Sequence, residues 1–392
     1  MSELVQVLDR AVSPLTAAER VIGRCGNPKR GALLVSIGGI HGNEPAGIHA
    51  SRRVLAKLQG KDAELKGGWL ALAGNLAALG KERRFLRHDL NRAWTTERLK
   101  SLRAHAEPSK LRAEDLEQLE LLQSLEEALT QAPGPVFFVD LHTTSAAGAP
   151  FAIVEDSMPN RRFAFRFPMP VILGIEEEVS GALMDYLSDL GHVTITFEGG
   201  QHDSPFSIDH HEALLWMALE AGGLITRQDF PEVEGFEAKL REICSNTPGA
   251  FEVRHRHAIL PQERFSMKPG FCNFDPVSKN QELASNQWGP IEAPLAGRII
   301  MPHYQEQGED GFFLGREVNL FWLRLSAVLR WLRLGKLSHW LPGVHRHPER
   351  EGCLLVDPGI ARWFEVEIFH LLGFRRHPPQ GKYLVFSPRS GR

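Results

Sequence analysis

Three acids and two histidines, each close to the end of an apolar run, are the residues of this chain best placed to do chemistry. In Gly38-Gly39-Ile40-His41-Gly42-Asn43-Glu44 an imidazole and a carboxylate stand three residues apart, and Asp140-Leu141-His142 offers a second imidazole. His41, Glu44 and His142 together make a His₂Glu donor set. Catalytic zinc takes such sets of three protein ligands, at roughly 2.0–2.2 Å, and keeps a fourth position for water. Asp140 shares a strand face with His142; it either accepts the free imidazole N–H or stands as a nearby carboxylate. A metal-activated water also needs a base, and Glu198, at the end of Val193-Thr194-Ile195-Thr196-Phe197-Glu198-Gly199-Gly200, is the candidate. The segment Arg84 to Arg92 crowds three arginines and Asn91 together. Guanidinium forks bind carboxylates bidentately and stabilise developing oxyanions. Arg87 is read as a solvated or structural arginine.

These residues need elements that bring them together. Ala32 to Ile37 is continuously apolar, as a strand buried on both faces should be, and the glycine pair then breaks it. Ala46 to Leu58 reads as a helix with Pro45 in its first turn. His41 and Glu44 thus fall on a strand-to-helix loop, the carboxyl-edge position where ligands gather in open α/β sheets. Val136–Val139 and Val193–Phe197 are further β runs. If all three strands share one parallel sheet, their ends converge. A single histidine at a strand end is ordinarily a capping or surface residue; the conjunction of four motifs carries the reading.

The set His41-x-x-Glu44, Asn91-Arg92, Asp140-x-His142 and Glu198 resembles the succinylglutamate desuccinylase/aspartoacylase family, relatives of the zinc carboxypeptidases. The resemblance covers about 32–200 well and reaches about Val318 more loosely. It implies one zinc ion per chain held by His41, Glu44 and His142, with Glu198 as general base and acid. It further implies that Arg84 polarises the scissile carbonyl and that Asn91 and Arg92 grip a substrate carboxylate. The implied reaction is hydrolysis of an amide bond in an N-acyl amino acid or related small carboxylated compound. The alternatives are a carboxypeptidase-like peptidase and a non-catalytic ligand-binding relative. The pattern departs from aspartoacylase itself, which carries an arginine about ten residues before its glutamate; here Ser188 and Asp189 stand near that place. This argues against N-acetylaspartate as substrate, with Arg161, Arg162 and Arg166 as remote substitutes.

The expected architecture is α/β: a zinc-carboxypeptidase-like mixed sheet flanked by helices, a small barrel-sandwich-like β domain and a C-terminal extension. The corresponding domains are 1–248 (catalytic), 249–319 (β, lipoyl-like) and 320–392, the last without a counterpart in the family. The Ala293-Pro294-Leu295-Ala296-Gly297 stretch has no lysine at a hairpin tip, so no lipoyl or biotin attachment is expected. Gly308 to Phe313 reads as a turn followed by an apolar pair, either shaping the pocket mouth or, the simpler reading, packing the core. Leu111–Leu129 reads as an acidic packing helix and Leu320–Leu341 as an amphipathic helix packed on the enzyme, its basic residues opposing a membrane span. His202 is a candidate pocket residue; His210 and His211 read as a polar helix start, and His255-Arg256-His257 and His345-Arg346-His347 as exposed basic surface.

Other classes find little support. There is no Gly-x-Ser-x-Gly elbow, and the glycines at 38, 39 and 42 lack the Lys-Ser/Thr ending of a phosphate loop. The four cysteines are scattered, which fits a reducing compartment. A formal net charge of −3 gives no electrostatic case for nucleic acid. With 43% hydrophobic and 24% charged residues, the 392-residue chain can bury more than one core. Met1-Ser2-Glu3-Leu4-Val5 lacks a signal-peptide profile, so a cytoplasmic location is expected. The expected partner is a small, carboxylated molecule, with no membrane span; a homo-oligomer is compatible with the sequence.

Overall fold

The computed structural model describes residues 19–104, 111–361 and 366–389; the start of the chain lies outside them. Strands form at β1 (Val21–Gly26), β2 (Leu33–Gly38), β3 (Gly68–Ala73), β4 (Val136–Thr144), β5 (Phe151–Ile153), β6 (Val171–Leu173), β7 (Val193–Gln201) and β8 (Ala250–Ala258), the central ones from buried apolar runs. Shorter strands follow: β9 (Ser266–Met267), β10 (Pro276–Val277), β11 (Glu282–Asn286), β12 (Gly289–Glu292), β13 (Gly297–Ile300) and β14 (Asp310–Glu317). The chain closes with β15 (Val344–Arg346), β16 (Leu354–Val356), β17 (Phe374–Gln380) and β18 (Tyr383–Pro388). The principal helices are α1 (Ala46–Leu58), α2 (Ala113–Gln131), α3 (Leu183–Asp189), α4 (Phe206–Ala221), α5 (Glu232–Ile243) and α6 (Leu320–Trp331).

An eleven-stranded mixed sheet runs in the order β1-β3-β2-β4-β7-β5-β6-β8-β14-β13-β10. Every residue of β2 and β3 is buried, because helices cover both faces of the parallel centre. One core, with Trp69, Phe197 and Trp216, lies under α1 and α4; the other, with Val35, Phe138 and Leu121, lies under α2 and α3. The sheet continues past residue 248 through the parallel pair β6–β8 into antiparallel β14 and β13. Strands β12-β11-β9 form a separate three-stranded sheet, and Leu283, Ile299, Phe312 and Leu314 fill the space between it and the end of the large sheet. Strands β15-β16-β18-β17 form a four-stranded antiparallel sheet with its own core around Phe369 and Phe386. The α/β mixed sheet flanked by helices is the architecture expected from the sequence.

Helix α6 differs from expectation. Its sole buried residue is Ser326, whereas Phe321, Trp322, Val328 and Trp331 are exposed, Trp331 by 77%. The contact to the body is mixed: Leu323 packs against the main core, and Arg330 Nη1 and Nη2 bond the Asp156 carbonyl and carboxylate at 2.7 and 2.8 Å. With Arg330 turned inward and Arg324 exposed, the helix leaves much of its apolar surface outward. Among the described residues no helix is long and apolar enough to cross a membrane.

Candidate metal centre and substrate cavity

The parallel register decides which residues meet. Gly38 pairs with Leu141 across β2–β4, and His142 pairs with Glu198 across β4–β7, so His41, His142 and Glu198 share one carboxyl edge. Gly39 has a φ of +70°, a left-handed turn that throws the chain off β2 into the His41 loop. Glu44 then precedes α1, within reach of both imidazoles.

His41 Nδ1 lies 2.9 Å from Glu44 Oε1, and His142 Nδ1 lies 3.0 Å from Glu44 Oε2. The other ring nitrogens face carboxylates: His41 Nε2 is 3.1 Å from Asp89 Oδ1, and His142 Nε2 is 2.8 Å from Asp140 Oδ2. A carboxylate accepts the Nε2–H and leaves Nδ1 as a bare lone pair, the tautomer a metal ligand needs. With that tautomer both Nδ1 atoms face the acceptor-only oxygens of Glu44, and a cation must lie between them, a proton in the metal-free protein or a metal ion in its place. The three donors lie within 4.8 Å of one another and all three residues are buried. The donor set therefore fits a divalent metal with N and O ligands. Burial opposes ionisation of Glu44, but the flanking histidines outweigh it and hold its carboxyl well below the ordinary value. Burial likewise opposes charge on His142, and Asp140 and Glu44 outweigh it, raising its pKa well above the usual imidazole value.

Asp89 did not figure among the site residues read from sequence, although it lies inside the quoted Arg84–Arg92 segment. Its Oδ1 also accepts from the Asn91 amide at 2.8 Å, and its Oδ2 accepts from Arg84 Nε and Nη2 at 3.1 and 3.0 Å. Burial pushes its carboxyl up, while Arg84 and His41 prevail and hold it well below the carboxylate range. Asp89 thus ties His41 to the arginine loop. Helix α2 holds that loop in turn: Glu114 accepts from the Leu86 amide at 2.5 Å, and Gln118 donates to the Ala93 carbonyl at 2.8 Å.

The structure brings the remaining sequence-predicted residues to one cavity of about 140 Å³, lined among others by Arg84, Asn91, Arg92 and Glu198. Asp140 sits behind His142. Arg84 has one edge clamped by Asp89, and its Nη1 stands 3.5 Å from Glu44 Oε1. Asn91 Oδ1 accepts from the Leu183 amide at 2.9 Å, and its Nδ2 lies 3.4 Å from His142 Nε2. Arg92 Nη2 bonds Asp310 Oδ2 at 2.6 Å, while its buried Nε has no partner. Glu198 has a buried Oε2 without a hydrogen-bond partner. Burial, with some help from Glu44, raises its pKa to about 8 against the pull of His142 and Arg84.

Other sequence readings fare differently, some borne out and some corrected. Gly308, Asp310 and Phe313 line the cavity, so the 308–313 turn shapes the site as well as packing the core. His211 is fully buried rather than part of a polar helix start, because α4 begins five residues earlier, at Phe206. A Cβ on Gly199 would meet its ring at 2.5 Å, so the glycine after Glu198 makes room for it. His202 Nδ1 lies 2.7 Å from Thr143 Oγ1 and its Nε2 3.1 Å from Gln305 Oε1, which places it between β4 and the 301–310 loop. In the 255–257 tract, Arg256 Nε bonds Asp310 Oδ1 at 2.6 Å and His257 stacks on Phe312, so the tract is half-buried. His347 is also buried, and bonds Gln380. Arg161 pairs with Asp156 and does not enter the cavity.

Residues 30–220 match the family model for the succinylglutamate desuccinylase/aspartoacylase catalytic domain. No curated protein is matched. Among solved structures, the chain is similar to the product-bound ectoine utilization protein EutE (DoeB) from Ruegeria pomeroyi, at 19% identity over 73% of this chain and 85% of that one, with a TM-score of 0.51. It is also similar to a succinylglutamate desuccinylase/aspartoacylase from Rhodobacter sphaeroides, at 16% identity over 75% and 87% of the two chains, with a TM-score of 0.53. A third similar structure is the succinylglutamate desuccinylase from Vibrio parahaemolyticus, at 15% identity over 75% and 83%, with a TM-score of 0.50. At such identities the structural likeness establishes the fold alone. The family match and the buried His-Glu-His site together show that this chain carries a catalytic domain of the succinylglutamate desuccinylase/aspartoacylase family, whose members are metal-dependent deacylases and amidohydrolases.

Proposed function

We propose that the protein hydrolyses an amide bond of an N-acyl amino acid or a related small carboxylated compound. The observation that carries this reading is the buried, partnerless Oε2 of Glu198 beside a His₂Glu donor set. A zinc ion, one per chain, held by His41 Nδ1, Glu44 and His142 Nδ1 would act as a Lewis acid and activate a water for attack at neutral pH. Glu198 Oε2, buried and without a hydrogen-bond partner, takes a proton from the attacking water and returns it to the leaving amine. Arg84 Nη1, the end of the fork that Asp89 does not occupy, donates to the carbonyl oxygen as it gains charge. Arg92 Nε and the Asn91 side-chain Nδ2 hold the substrate carboxylate, with Asp310 keeping the Arg92 guanidinium oriented. Asp89 and Asp140 fix the imidazole tautomers.

The division into a catalytic unit to residue 248, a β unit to 319 and an extension to 392 is part of this proposal, with loop 301–310 of the β unit closing one wall of the site. All four cysteines are free, which agrees with a cytoplasmic enzyme. Zinc-loaded protein assayed against N-acyl amino acids should release free carboxylic acid faster than it removes C-terminal residues from peptides. Faster peptide cleavage would establish the carboxypeptidase alternative instead.

A further inference from the structure

The cavity has two chemically different ends. Glu198, Thr196 and Thr194 alternate along β7 and all line it. Two strand residues advance roughly 7 Å, so the cavity runs from the metal ligands some 7–13 Å along the strand. At its far end the acids lining it are Glu155, Glu176 and Asp185, set among apolar residues such as Ile175, Val179 and Met184. Asn160 Nδ2 bonds the Glu155 carbonyl and Thr194 Oγ1 at 3.2 and 3.3 Å, which sets Glu155 beside Thr194. Among the described residues the lysines and arginines lining the cavity are Arg84 and Arg92, both engaged at the metal end by Asp89 and Asp310.

Glu176 is 4% exposed; Arg389 occupies its Oε1, and its Oε2 is buried without a partner. Arg389 also bonds Glu177 at 2.6 Å, so a single guanidinium serves both carboxylates. A buried carboxylate oxygen without a donor is costly unless a ligand supplies one. Burial and the Glu176 charge push Glu155 up to about 7, against the Ser188 hydroxyl that donates to its carboxylate at 2.7 Å and the Arg389 charge. Burial, with the Glu176 and Glu155 charges, pushes Asp185 up to about 7 against Arg375. The acids therefore repel one another. They are not grouped like metal ligands: among the described residues, acids and histidines converge closely enough for an ion only at His41, Glu44 and His142.

We propose that this end binds a cationic group of the substrate, an alkyl ammonium or guanidinium, so that the amide cleaved at the metal centre belongs to an N-acylated basic amino acid. The inference rests on the amide-hydrolase reading and adds the side chain. An extended lysine- or arginine-length side chain spans the interval from Glu198 to Thr196 and beyond.

The test uses the zinc-loaded full chain with Nα-acetyl-L-lysine, Nα-acetyl-L-norleucine and Nα-acetyl-L-glutamate. Lysine should exceed norleucine in kcat/KM by roughly tenfold to a hundredfold, the effect of a charge-assisted hydrogen bond, and glutamate should be poorest. Asp185→Asn and Glu155→Gln should each move the lysine-to-norleucine ratio towards one. Norleucine or glutamate equalling lysine, or an unchanged ratio in both variants, overturns the proposal. If none of the three compounds is cleaved, the amide-hydrolase reading fails separately. The cation site is then decided by thermal shift: stabilisation by L-lysine and not by L-norleucine supports it, and equal shifts refute it.

Discussion

Replacing Asp89 with asparagine removes a charge on which four donors converge: His41 Nε2, Arg84 Nε and Nη2, and the Asn91 amide. An asparagine has one oxygen, and its Nδ2 must face either the imidazole N–H or the guanidinium, donor against donor. The consequence for metal follows from the imidazole. Without the carboxylate, His41 loses the partner that keeps its Nδ1 bare, and loss of such a partner costs about tenfold to a hundredfold in metal affinity, roughly 1.4–2.7 kcal/mol. The consequence for folding follows from burial. Arg84 and Asp89 side chains are 11% and 7% exposed, and removing one partner of a pair this buried leaves an uncompensated charge worth about 3–5 kcal/mol. Asp140→Asn is the internal control. Asp140 Oδ2 meets His142 Nε2 while its Oδ1 has no partner, so an asparagine oxygen can keep the one bond that exists. Chelator competition followed by thermal unfolding of the metal-free proteins should separate the two: Asp89→Asn loses metal affinity and melts much lower, whereas Asp140→Asn, which keeps its bond to His142, stays close to the wild type in both. Wild-type affinity in Asp89→Asn, or equal melting of the two variants, would refute the argument.

Three further outcomes are expected. Glu198→Gln keeps shape and removes the proton acceptor, so bound metal should persist while kcat falls by roughly 10²- to 10⁴-fold, read by elemental analysis beside steady-state kinetics; an unaffected kcat would remove Glu198 from the mechanism. Arg84→Ala should lower kcat by roughly 10²- to 10³-fold, whereas Arg92→Ala, which touches a group charged before and during the reaction, should chiefly raise KM; equal, kcat-only effects would show that the roles are divided wrongly. Glu155 is held near 7 in the folded protein against an ordinary value of 4.5. Between those values the unfolded chain sheds its proton first, so this group lowers stability as pH rises, by about 3 kcal/mol at pH 8. Glu155→Gln should accordingly melt above the wild type at pH 8 and level with it at pH 4; a gain of the same size at both would show that the carboxyl's ionisation is not the cause.

The chemistry-bearing residues were legible in the sequence because each lies next to a signal of its own: an apolar run closed by glycine, then histidine or glutamate. A strand buried on both faces has to be apolar, and its loop has to turn sharply, so β2, β4 and β7 and the acids and imidazoles at their ends could be read from the local pattern. The partners of those residues could not. Asp89, Asp310 and Glu176 carry no local mark; each acquires its role by pairing with Arg84, Arg92 or Arg389 across 5, 218 and 213 positions. The inward turn of His211 depended on where α4 begins, and the outward face of α6 on which side of it Arg330 anchored. Local sequence determined which atoms could act, because periodicity and turn chemistry work over a few residues. The tertiary structure decided what each of them faces, because the charge and burial around a side chain come from segments that meet only when the sheet is assembled.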